Sequence, residues 1–142
     1  MQYNIEVQIA NTESKLQSIY EVRREVFVKE QKVSEREEYD EYETSSTHLA
    51  AIYNDEIVGT CRFRNTDKGV KLERFAVLKT HRDKGVGGAL VQAVLKHIDT
   101  DQNVYLHAQI QVVGFYEKFS FYKVGEEFVE ANIRHYKMVY KS

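Results

Sequence analysis

Hydrophobic and polar positions alternate at the start of the chain. Tyr3, Ile5, Val7 and Ile9 are separated by polar residues, the period of a half-buried strand. Asn11 and Thr12 can cap a helix beginning just after them. Leu16, Ile19, Tyr20, Arg23, Val26 and Phe27 then recur at helical spacing, which predicts one helix over 13–31. The acidic stretch 34–46 reads as a loop or a short mobile helix. Three strands come next, at 49–53, 57–64 and 70–77. They are separated by turns at Asn54-Asp55 and at 65–69, so they should pair antiparallel.

After Val77 the period changes. Val86, Leu90, Ala93, Val94, His97 and Ile98 form an apolar helical stripe, and 104–109 returns to strand. With a helix between them, strands 70–77 and 104–109 can lie parallel in a crossover unit. Val112, Phe115, Tyr116 and Phe119 make a short helical stripe, and 121–124 and 133–140 close the chain as strands. The expected fold is a mixed α/β (α+β) domain spanning 1–142. Its mostly antiparallel sheet of six to seven strands is flanked by helices, with a strand–glycine loop–helix unit at its centre.

Composition narrows the function. The 142 residues are 42% hydrophobic and 30% charged, with a net charge of −2, so the chain lacks the overall basic character of a nucleic-acid binder. No apolar run reaches the length of a membrane span, and the first residues do not form a signal peptide. The single cysteine, Cys61, leaves no internal disulfide. A cytoplasmic protein without membrane or nucleic-acid partners is expected. The five histidines show no metal-ligand spacing, so no metal is expected.

The most informative segment is Arg82-Asp83-Lys84-Gly85-Val86-Gly87-Gly88. Its glycines open the predicted central helix, whose first N–H groups lack internal partners and lie at the positive end of the helix dipole. Backbone of this kind, flanked by Arg82 and Lys84, suits a phosphate or pyrophosphate. The alternative is a close helix–sheet contact in which the glycines only save space. Neither the P-loop spacing nor the dinucleotide fingerprint G-x-G-x-x-G is present.

Arg82 to Gly87 matches [RQ]-x-x-G-x-[GA], and on this motif the sequence resembles the GNAT superfamily of N-acetyltransferases. Leu72-Glu73-Arg74-Phe75-Ala76-Val77 is similar to the family's fourth strand. Phe115-Tyr116-Glu117-Lys118-Phe119-Ser120-Phe121 resembles its F-Y-E-K-x-G-F segment. Arg23 to Gln31, Glu126-Glu127-Phe128 and His135-Tyr136-Lys137-Met138 extend the likeness to small bacterial members. Three positions depart: Ser120 and Asn132 stand where relatives carry Gly, and Gln109 where many carry Asn.

The resemblance implies acetyl-coenzyme A as cosubstrate and a primary amine of a small molecule or peptide as acceptor. Dimers are common in the family, so a homodimer is among the assemblies it implies. By the same resemblance, Arg82, Asp83, Lys84, Gly85, Val86, Gly87 and Gly88 would hold the pyrophosphate. Backbone groups of Phe75, Ala76 and Val77 would bind the pantetheine and polarise the thioester carbonyl. Tyr116 is the implied general acid, since a phenol with an ordinary pKa near ~10 is protonated at neutral pH; by spacing alone it belongs to an aromatic core stripe. Glu73 is the candidate base, on the same face as Phe75 and Val77 if alternation holds, against a surface carboxylate paired with Lys71 or Arg74. His135 is a second candidate. The stretch from Glu35 to Glu43, with six carboxylates in nine residues, would border the acceptor site and attract a cationic amine, or simply be solvated. Glu30 is a similar acceptor-side candidate. A non-catalytic acyl-coenzyme A-binding module is the rival reading.

Overall fold

The computed structural model describes residues 4–141, so Tyr3 of the first strand lies outside the described residues. The strands are β1 (Ile5–Ile9), β2 (Thr47–Tyr53), β3 (Glu56–Thr66), β4 (Gly69–Val77), β5 (Val104–Gln109), β6 (Phe121–Glu130) and β7 (Ile133–Tyr140). They form one seven-stranded sheet in the order β1-β2-β3-β4-β5-β7-β6. The β4–β5 pair is parallel; the other neighbouring pairs are antiparallel. The helices are α1 (Glu13–Arg23), α2 (Glu35–Glu38), α3 (Val86–His97) and α4 (Val113–Glu117).

The expected 13–31 helix changes winding partway. Thr12 caps α1 by accepting from the Lys15 N–H, but Arg24–Glu30 winds as a π-helix. Such wider turns are rare and concentrate at functional sites. The predicted strand 121–124 is longer, running to Glu130. It continues past a register shift between Val124 and Phe128, where Gly125 takes φ 77°. The β6–β7 turn places Ala131 at φ 52° and Asn132 at φ 62°, so Asn132 fills a left-handed position that asparagine tolerates better than most residues. Ser120 also sits at positive φ, 69°.

One face of the sheet packs on α3 and α4. Leu72, Val86, Leu90, Val91, Val94, Leu106, Phe121 and Met138 are buried there, each aliphatic side chain contributing about 1.5–3 kcal/mol. The opposite face packs on α1 and the π segment through Val22, Val26, Phe27 and Ala76. Strand β4 does not keep strict alternation between these faces. Leu72, Phe75 and Val77 all belong to the α3 side and Ala76 to the α1 side. Arg74 at φ 59° and the register shift opposite it supply the extra residue of a bulge. Glu73 therefore points to the α1 side with Arg62 and Arg64, not to the face of Phe75 and Val77 as alternation predicts.

Candidate active site

Strands β4 and β5 pair only through Val70↔Val104, Lys71↔Tyr105 and Leu72↔Leu106. Beyond Leu72 they separate, and a cleft of about 780 Å³ opens between them, within the usual range for ligand sites. Its walls include Phe75, Ala76 and Val77 on β4 and His107, Ala108 and Gln109 on β5. One end reaches Arg82, Asp83, Gly85, Val86, Gly87 and Gly88; the other reaches Glu73, Arg74, Glu130, Ile133 and His135.

At the loop end, Gly85 is the N-cap of α3 at φ 85°, where a side chain would be strained. No side chain caps the first N–H groups of α3. Asp83 also has positive φ, 64°. Gly87 and Gly88 have a different reason to lack side chains. A Cβ at Gly87 would meet the Phe115 ring at 3.2 Å, and one at Gly88 the Phe119 ring at 3.0 Å. Gly87 and Gly88 thus save space, for aromatic rings rather than for the sheet, while Gly85 shapes the uncapped helix start. A helix start with free N–H groups, beside the Arg82 guanidinium and opening into a long cleft, fits an acyl-coenzyme A pyrophosphate.

Arg82 is held in place. Its Nε donates to the Val77 carbonyl (3.1 Å), and its fork donates to both oxygens of Glu30 at the end of the π segment (2.6 and 2.8 Å). The Arg82 bonds keep the Glu30 carboxyl below its ordinary range. Next to this pair, Gln109 Nε2 donates to Gln31 Oε1 (2.8 Å), and Gln111 Nε2 donates to Gln109 Oε1 (2.5 Å). Glu30 and Gln31 thereby tie the π segment to both strands of the split.

Tyr116 lies in the aromatic stripe and also on the cleft wall. Its ring contacts Phe75 (5.6 Å), Phe115 (5.1 Å) and Phe121 (6.0 Å). Its hydroxyl has no hydrogen-bond partner among the described residues. Burial pushes its pKa well above the usual phenol value, so it stays protonated. Cys61 is buried and its thiol is likewise pushed up by burial, which leaves it inert.

The acidic stretch divides in two: Glu35, Glu37 and Glu41 are exposed, and the other three carboxylates are paired. Glu38, Asp40 and Glu43 turn inward onto arginines from α1, β3 and β4. Arg23 donates to Glu38 and, at 2.7 and 2.9 Å, to Glu43. Arg62 donates to Asp40 (2.9 and 2.7 Å), Glu43 (3.0 Å) and Glu73 (2.6 Å). Arg74 pairs with Glu38 (3.0 Å) and Asp40 (3.2 Å). Burial raises the Asp40 carboxyl, but the Arg62 fork, the Tyr42 N–H and the nearby arginines hold it down at about 2. Arg23 and Arg62 are fully buried, and such charges persist only when paired. Glu73 belongs to this network, accepting from Arg62 and, at 2.7 Å, from Arg64. Although burial raises its pKa, Arg62 and Arg64 outweigh it and keep the carboxylate ionised. It is not the solvent-exposed carboxylate of the alternative reading, and both its oxygens are already engaged.

A second polar group at this end adds His107 and Glu130, which the sequence does not single out, to the candidate His135. His107 Nδ1 lies 3.0 Å from Glu130 Oε2, and His135 Nδ1 lies 2.7 Å from the Ile133 carbonyl. The Phe128 ring sits edge-on to His107 (4.9 Å) and stacks on His135 (5.7 Å). The available signal was weak: His107 alternates with apolar Leu106 and Ala108, which puts it on the polar face of β5. Among the described residues there is no metal-binding group of His, Cys, Asp or Glu. No described helix is long and apolar enough to cross a membrane.

The fold that carries this cleft recurs in known proteins. The chain is 42% identical over 134 residues to the uncharacterized N-acetyltransferase YjcF of Bacillus subtilis, covering 92% of this chain and 96% of the relative. It resembles the crystal structure of Escherichia coli ElaA with a TM-score of 0.86 at 29% identity, over 97% of this chain and 100% of that one. An acyl-CoA N-acyltransferase from Pseudomonas aeruginosa superposes with a TM-score of 0.83 at 25% identity, over 99% and 100%. The acetyltransferase (GNAT) domain family matches residues 9–142. With that match running from the end of β1 through β7, the chain belongs to the GNAT family, whose chemistry is acyl transfer from acyl-coenzyme A.

Proposed function

We propose that the protein transfers an acetyl group from acetyl-coenzyme A directly to a primary amine of a small molecule or peptide. The observation that carries this reading is the unpartnered, protonated Tyr116 hydroxyl in the same cleft as the α3 start. Arg82, Asp83, Lys84, Gly85, Val86, Gly87 and Gly88 bind the pyrophosphate, chiefly through the free N–H groups of the helix start and the Arg82 charge. The edge of Phe75, Ala76 and Val77 left free by the strand split receives the pantetheine and polarises the thioester carbonyl. Holding amine and thioester together supplies much of the rate. Tyr116 gives its proton to the departing sulfur. Glu73 enters as a fixed negative charge at the acceptor end, where an ionised carboxylate favours an arriving ammonium; a direct proton-accepting role is disfavoured by its arginine partners.

The phenol favours an enzyme over a binding module, since mere binding of an acyl-coenzyme A needs no acid in the cleft. Tyr116→Phe should lower thiol release from acetyl-coenzyme A, measured with a panel of primary amines, by about 10²-fold. Thermal stabilisation of the protein by acetyl-coenzyme A should be retained. Unchanged turnover in that variant would remove Tyr116 from the mechanism. Failure of acetyl-coenzyme A to stabilise the wild-type protein would remove the cosubstrate.

A further inference from the structure

The acceptor end holds two imidazoles, and one is placed to receive a proton. His107 lies on β5 directly after the last β4–β5 pair, Leu72↔Leu106, at the point where the strands part. A carboxylate can only accept, so the 3.0 Å contact with Glu130 places a proton on His107 Nδ1, and in the neutral imidazole the lone pair is then on Nε2. Glu130 comes from the end of β6, just before the tight β6–β7 turn, and reaches across β7. Phe128 and Tyr105 flank the ring at 4.9 and 6.0 Å and fix its plane. His107 keeps a side-chain exposure of 25%, whereas His135 is buried, stacks on Phe128 and sits one strand further from the split.

We propose that His107 is the general base of the transfer and that Glu130 is its positioning residue. This rests on the acyl-transfer reading above. His107 Nε2 takes one proton from the acceptor ammonium, leaving a neutral amine. The amine nitrogen forms a bond to the thioester carbonyl carbon and loses its second proton. As the C–S bond breaks, the sulfur takes the Tyr116 proton, which the proton lost by nitrogen replaces through solvent. Amide and free thiol result, and one net proton, the one His107 accepted, is released to solvent. The charged or titratable groups near the His107–Glu130 pair include Tyr105 on its own strand, Lys71 and Glu73 on β4, and His135 and Lys137 on β7. The His107 hydrogen bond, with Lys71 and His135 adding to it against burial, holds the Glu130 carboxyl at about 2, so Glu130 remains an acceptor throughout the working pH range.

The test combines a spectrum that needs no acceptor with kinetics that do. In the ¹⁵N-labelled protein, the His107 imidazole should show the Nδ1–H tautomer, and Glu130→Ala should redistribute it. Adding acetyl-coenzyme A should move both the His107 ring signals and the amides of 85–88. Movement of the amides alone would overturn the base assignment and leave the cosubstrate reading intact. No movement of either, or no wild-type turnover with any amine of the panel, would count against acyl transfer itself and against the assignment with it. On the amine turned over fastest, His107→Gln should lower kcat by about 10²-fold and abolish the rising acid limb of the pH profile, with KM for acetyl-coenzyme A unchanged. Glu130→Ala should give a smaller fall and displace that limb. Glu130→Gln, whose amide oxygen still accepts from Nδ1–H, should recover part of the loss. An unaltered pH profile in His107→Gln, or an equal loss in both Glu130 variants with no displacement of the limb, would sink the proposal.

Discussion

At one end of the cleft, Arg82, Asp83 and Gly85 to Gly88 line the wall as near-consecutive residues around a helix start. At the other end, α1, the 38–43 stretch, β3, β4, β5, β6 and β7 each contribute one to three side chains, and charge pairing holds most of them together. The first end depends on local conformation and tolerates much change elsewhere. The second depends on the tertiary fold, because its arginines and carboxylates are stable only in each other's company. A shared scaffold can therefore keep one cosubstrate while its acceptor end diversifies.

Removing the centre of the assembled end should have the largest effect. Arg62→Ala leaves Asp40, Glu43 and Glu73 without their shared cation and should cost about 3–5 kcal/mol of stability in urea unfolding. A cost below about 1 kcal/mol would mean that the network behaves like a surface set.

Acid should attack the same end next. The Asp40 carboxyl is held at about 2 in the folded protein, and Glu43 and Glu73 are also lowered. The unfolded values lie near ~4. A lowered folded pKa stabilises above the unfolded value and loses that stabilisation as pH falls through the folded one. Stability should thus decline between about pH 4 and about pH 2. Glu38 works in the opposite sense, since burial outweighs Arg23 and raises its pKa, so its protonation on acidification offsets part of the loss. Unfolding free energy measured across this range should show a shallower decline in Asp40→Asn; an unchanged slope would exclude Asp40 as a source.

At the loop end, Gly85→Ala should cost about 1–2 kcal/mol, the penalty for a left-handed non-glycine residue, and weaken acetyl-coenzyme A binding in calorimetry. Gly88→Ala should instead disturb the Phe119 contact and lower stability with less effect on binding. Equal effects on binding would show that the two glycines share one role. The smallest change is expected for Glu30→Gln. Its pair with Arg82 is about one-third exposed, so stability should change by less than about 1 kcal/mol. Freed of its carboxylate partner, Arg82 should bind acetyl-coenzyme A up to about fivefold more tightly, and weaker binding would show that Glu30 holds Arg82 in its binding position.

The elements were legible where one period ran undisturbed. The α3 stripe, the β2–β3 and β3–β4 turns and the parallel placement of 70–77 and 104–109 follow from pattern and loop length. The π winding of Arg24–Glu30 was not, because its apolar positions also suit an α-helix over so short a span. The bulge at Arg74 was not either, and one extra residue reversed the expected side of Glu73. The stretch 34–46 read as loop or short helix, and its parts differ: Glu35–Glu38 is helical, Asp40 has no regular structure and Glu43 sits in a turn. Glu38, Asp40 and Glu43 read as solvated or substrate-facing, like the exposed Glu35, Glu37 and Glu41, because their partners lie far along the chain; Arg62 is 22 residues from Asp40 and Arg74 is 36 from Glu38.

By itself the sequence determined the central strand–loop–helix unit, the family and the kind of cosubstrate, because these reside in contiguous residues whose backbone conformation is a local property. Tertiary structure alone decided which charges meet at the far end of the cleft. Ion pairs and imidazole tautomers are set by whichever groups meet in space, and Glu73 with Arg62, or His107 with Glu130, meet only once the sheet has closed.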